Sequence, residues 1–90
     1  MPKYVMVSAD FPNFTEKQRS EIYERLMNND WHKIVNVGRD ISTTWWAEFN
    51  DNVSDADVLS TSILEFRECS QPYTIPVLVL HIGPKMPTIY

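Results

Sequence analysis

A chain of 90 residues is the size of one small domain, and 43% apolar with 12% aromatic content suffices for one hydrophobic core. A net charge of −4 and a pI near 4.9 argue against a protein that grips duplex DNA by general electrostatics, because neutralising phosphates needs clustered Lys and Arg. The longest nearly apolar run, residues 75–82, is far shorter than the ~20 residues that cross a bilayer, and the N-terminus lacks a secretory layout, so a soluble, cytoplasmic protein without a membrane partner is expected.

Residues 3–9 open the chain as a strand rich in β-branched and aromatic side chains, with few polar residues on either face, as suits a central strand. Asp10 ends it, because Pro12 has no amide hydrogen to continue a ladder. Thr15 with Gln18 matches a capping box, so a helix starts there. Ile22, Tyr23, Leu26 and Met27 form its apolar face, and Asn28, Asn29 and Asp30 end it. Residues 31–37 alternate as a second strand, with Trp31, Lys33, Val35 and Val37 opposite His32, Ile34 and Asn36. A turn at Gly38, Arg39 and Asp40 leads to a third strand over residues 43–49, with Trp45 and Trp46 on opposite faces, and the pair reads as a hairpin. Ser54, followed by Asp55 and Asp57, starts a second helix with a stripe of Leu59, Ser62, Ile63, Phe66 and Cys69. After Pro72, residues 75–82 form a nearly continuous apolar strand that needs cover on both faces or a central place in a sheet.

The order strand, helix, strand, strand, helix, strand is that of an α+β, ferredoxin-like βαββαβ fold: an antiparallel four-stranded sheet with two helices on one face. Residues 1–83 are expected to form this single domain, and residues 84–90 a C-terminal tail or a short edge strand. The two most apolar strands, the first and the last, are expected side by side in the sheet centre. The helix-free face then needs another cover, and a large exposed apolar patch marks an interface. Homodimerisation through that face is the expected answer, with Trp45 or Trp46, according to register, among the contact residues.

Candidate chemistry is sparse. A single cysteine, Cys69, excludes an internal disulfide and reads as a small apolar residue near a helix end. His32 reads as a surface or hydrogen-bonded residue rather than a general base, and His81, inside the apolar strand, as a satisfied core histidine. Ser8 has no adjacent base and Gly38 stands alone, so neither a hydrolase elbow nor a phosphate loop is present. Lys17, Arg19 and Arg25, with Lys33 just beyond, are the nearest approach to a basic cluster and the candidate nucleic-acid contacts. The interleaved Glu16, Glu21 and Glu24 favour a solvated helix face instead.

The hydrophobic strand running into Asp10, the amphipathic helix and the following Trp31-His32-Lys33 resemble the small CRISPR-associated integration-scaffold nucleases. They are also similar to the GhoS antitoxin family, which shares the ferredoxin-like core; that similarity extends over the hairpin, the second helix and residues 75–82. The first resemblance implies Asp10, at the end of the first strand, as a catalytic and metal-ligand position near a dimer two-fold. It also implies a dimer in which the tail around Thr88, Ile89 and Tyr90 adds a strand to the partner's sheet. The acidic surface departs from the basic nucleic-acid surface of that family. Two function classes follow. The favoured one is a dimeric, non-catalytic regulatory module that binds another protein through exposed aromatics and needs no cofactor. The alternative is a metal-dependent single-stranded RNA endonuclease or RNA-binding regulator of the antitoxin-like kind, with Mg2+ or Mn2+ held by Asp10.

Overall fold

The computed structural model describes residues 2–12, 15–36 and 39–86. The elements run β1 (Lys3–Asp10), α1 (Glu16–Asn28), β2 (His32–Asn36), β3 (Arg39–Phe49), α2 (Asp55–Ser70) and β4 (Val77–Gly83). The strands form one antiparallel sheet in the order β2-β3-β1-β4, the ferredoxin-like α+β arrangement. The helices start where cap chemistry places them. The Thr15 hydroxyl accepts the Gln18 amide at 3.2 Å while the Gln18 side chain accepts the Thr15 amide at 3.0 Å, and Ser54 accepts the Asp57 amide at 3.1 Å. Asp30 turns the chain out of α1 with a left-handed backbone (φ 65°), a conformation that short polar side chains tolerate, and so delivers Trp31 into the core.

The sheet centre differs from the sequence expectation. β1 does lie beside β4, but its other neighbour is β3, so β1 and β3 are central and β4 is an edge. The reason is topological: the crossover through α1 leaves a gap between β1 and β2 that β3 fills, and α2 returns the chain to the far side of β1. The hairpin differs as well. Arg39 and Asp40 already belong to β3, and the register shifts between Lys33 and Ile34, where partners jump from Trp45 to Ile41.

One face of the sheet carries the core. Val5, Val7 and Ala9 of β1 and Trp45 and Ala47 of β3 pack against Ile22 and Leu26 of α1 and Val58, Phe66 and Cys69 of α2. Trp31 closes one end: its ring meets Phe66 edge-on at 4.7 Å, and its Nε1 donates to Glu65 Oε2 at 2.7 Å. The buried stripe of α2 is set by Val58, Ser62, Phe66 and Cys69, so the expected Leu59 and Ile63 are only half-buried at its flank. The two buried serines bond back one turn, Ser62 Oγ to the Val58 carbonyl at 2.7 Å and Ser70 Oγ to the Phe66 carbonyl at 2.6 Å, which removes the cost of burying them. Met27 is exposed rather than part of the α1 face. No helix among the described residues is long and apolar enough to cross a membrane.

Candidate interaction surface

Among the described residues, the other face of the sheet carries no helix. Register and strand parity place on it Tyr4, Met6, Ser8 and Asp10 from β1, Thr44, Trp46 and Glu48 from β3, His32 from β2, and Val77, Val79 and His81 from β4. One row crosses all four strands: His32 opposite Trp46, Trp46 opposite Met6, Met6 opposite His81. Trp46 is the centre of this face. The His32 ring stacks on it at 4.4 Å with planes 27° apart, and the Tyr4 ring lies tilted against it at 6.2 Å. Tyr4 Oη donates to Glu48 Oε1 at 3.5 Å, so the aromatic centre has an acidic border with Glu48 on one side and exposed Asp10 on the other. A shallow hollow lined by Tyr4, Met6, His81, Pro84 and Lys85 adjoins it.

The two adjacent tryptophans are separated by the pleat. Trp45 is fully buried on the helix side, edge-on to Tyr23 at 5.2 Å, so of the two interface candidates only Trp46 lies on the open face. His81 is exposed there, not a core histidine, because β4 is an edge strand whose open side none of the described residues covers. Ile89 and Tyr90 lie outside the described residues; residues 84–86 form no strand.

The four basic candidates fall away from Trp46. Lys17 and Arg19 project from α1, and Arg19 Nη2 reaches Glu16 Oε1 at 3.3 Å. Lys33 lies on the helix side, with its ammonium 5.9 Å from the Tyr23 ring centre. Arg25 is built into the fold. Its Nη1 donates to the carbonyls of Cys69 at 3.2 Å and Gln71 at 2.6 Å, which satisfies the end of α2, and its guanidinium lies 5.4 Å from the centre of the Tyr73 ring. Thus these four basic candidates and the aromatic centre are on opposite faces of the sheet.

Asp10 sits at the exit of β1, opposite Val77, with its side chain in solvent. Among the described residues no group of three or more His, Cys, Asp or Glu side chains converges on a point that could hold a metal ion. Cys69 is buried, its Sγ 3.4 Å from Asn29 Nδ2, and burial pushes its thiol pKa up against the opposing pull of that hydrogen bond, which keeps it a poor nucleophile.

Tyr4, Met6, Val77 and Val79 were not singled out from sequence as surface residues. The available signal was parity: all have the parity that pairing to Trp46 imposes, but it acquires meaning only once the strand order is known. No family model, curated protein or solved structure matches the chain.

Proposed function

We propose that the protein is a small, non-catalytic interaction module that works as a homodimer and presents its open sheet face, centred on Trp46, to a protein partner. The observation that carries this is the face itself: Trp46, Tyr4 and Met6 on the two central strands, extended by Val77 and Val79, stand without a helix above them. Such a surface combines an apolar aromatic centre with a polar rim, the anatomy of a contact patch. Asp10 and Glu48 at the rim select a partner whose own rim is neutral or basic. Affinity capture with the wild-type chain and with Trp46→Ala tests this. The reading predicts partners retained by the wild type and lost from the variant; identical capture by both would remove Trp46 from the account.

A second reading has one observation in its favour. Tyr4 on β1 and Trp46 on β3 place aromatic rings on the two central strands of an open sheet, where bases of single-stranded RNA can stack. The basic candidates on the opposite face weigh against it. Titration of tryptophan fluorescence with single-stranded RNA at two salt concentrations, in the wild type and in Trp46→Phe, separates the readings, since RNA stacking on Trp46 requires quenching that weakens with salt and is lost from the variant. If the endonuclease form of this reading holds, Asp10→Asn abolishes manganese-dependent cleavage without lowering stability.

A further inference from the structure

The most apolar strand of the sheet has no buried residue. All seven residues of β4, VLVLHIG, are exposed or only half-buried, with Val77 63% and Val79 69% exposed on the open side and Leu78, Leu80 and Ile82 half-buried on the helix side. Among the described residues no strand pairs with its outer edge, which there offers a row of backbone donors and acceptors. Edge strands are ordinarily guarded against pairing by charge, by shortness or by a bulge. The opposite edge, β2, has all three: five residues, Lys33, and the register break after it. β4 has none, carrying no Lys, Arg, Asp, Glu or Pro and pairing with β1 without interruption from Asp10 to Tyr4.

We propose that β4 is a dimer seam, pairing antiparallel with β4 of a second copy to make one continuous eight-stranded sheet. This deepens the homodimer reading above and rests on it. A second copy suits the edge for a specific reason. With the two-fold axis at Leu80, the middle of the strand, all seven residues overlap and every side chain meets one of its own face. On the helix side Leu80 stands opposite the partner's Leu80 and Leu78 opposite the partner's Ile82. On the open side Val79 stands opposite the partner's His81 and Val77 opposite the partner's Gly83. The exposed open side and the half-buried helix side of the strand gain neighbours at once. Charge points the same way: two chains of −4 repel, and β4 is a stretch where they can meet without bringing carboxylates together.

Light scattering and two variants test the seam. The wild type should run at about twice the 10.5 kDa chain mass. Val79→Lys, at a position exposed in the single chain, places the usual edge-guarding charge in the seam and should weaken the dimer at least tenfold with an unchanged circular dichroism spectrum. Leu80→Cys puts two thiols opposite each other across the axis, within reach of a disulfide, and should cross-link on mild oxidation, whereas the wild type, with only buried Cys69, should not. Face-to-face packing would point residue 80 of each copy away from the other. A wild-type dimer in which Leu80→Cys does not cross-link, or Val79→Lys still dimerises, overturns the seam and leaves the homodimer to another surface. A wild type that stays monomeric at high concentration overturns both.

Discussion

The adjacent tryptophans give the sharpest test of the register. Replacing each in turn by alanine removes the same atoms one residue apart, and the pleat requires different outcomes. Trp45 is fully buried between Tyr23 and the core residues of both helices, so Trp45→Ala leaves a large cavity and should cost about 3–5 kcal/mol. A 90-residue domain has a total stability of about 5–14 kcal/mol, so this single change removes about a fifth of it or more. Trp46 is partly exposed, and its ring contacts are with His32 and Tyr4, at about 0.5–1.5 kcal/mol for each pair, so Trp46→Ala should cost about 1–3 kcal/mol, toward the lower end because no closed cavity is left. Urea unfolding followed by far-ultraviolet circular dichroism measures both, and equal slopes with different midpoints are expected. If Trp46→Ala proves as damaging as Trp45→Ala, Trp46 is not on an open face, and the interaction surface centred on it is lost.

Three further outcomes follow from the geometry. Thr15→Ala opens the capping box of α1 and should lower the unfolding free energy by about 0.5–2 kcal/mol, with Thr15→Asn retaining most of it. Cys69 should resist alkylation in the folded chain and react in urea at the rate of an unstructured thiol; equal rates in both states would show that the end of α2 is open. The Tyr73 hydroxyl donates to Glu21, and that hydrogen bond, with burial and the carboxylate charge, holds its pKa above the usual tyrosine value of 10.0. Because the folded pKa is the higher one, its contribution is complete below the unfolded value and is lost as pH rises through the folded value. Stability should therefore fall on the alkaline side through this group, and Tyr73→Phe should remove that limb.

Local signals were legible in the sequence and long-range ones were not. Thr15 with Gln18, Ser54 before Asp55 and Asp57, and the Asn-rich end of α1 act through hydrogen bonds a few residues apart, so the helix starts and the α1 stop appear where the chain chemistry puts them. The place of β4 was misjudged because an all-apolar run normally means burial on both faces, and a strand left uncovered at an edge has the same composition. His81 followed the same error, since its assignment to the core came from its apolar neighbours. Parity separated Trp45 from Trp46 without saying which faced inward; that depended on pairing with β1, where Val5 and Val7 set the core side. The role of Arg25 was hidden for a different reason: its partners, the Cys69 and Gln71 carbonyls, lie more than 40 residues away and carry no side-chain signature.

The open face and the β4 edge act together if the seam holds. Antiparallel pairing about an axis normal to the sheet keeps both helix layers on one side and both open faces on the other. Trp46 of each copy then lies on a single continuous surface. Five strand intervals separate the two, from β3 through β1 and β4 to their counterparts, which is about 24 Å at the usual strand spacing. A partner with two docking elements at that separation would engage both tryptophans, and the second contact would form at the high effective concentration set by the rigid sheet. Val79→Lys and Trp46→Ala should then differ in kind. The first leaves Trp46, Tyr4 and Met6 in place, changes only the β4 margin of each face, and should reduce binding of a two-site partner to about that of one site, while the second removes the contact for one-site and two-site partners alike. Loss of one-site binding by Val79→Lys would mean instead that β4 itself is part of the partner's contact.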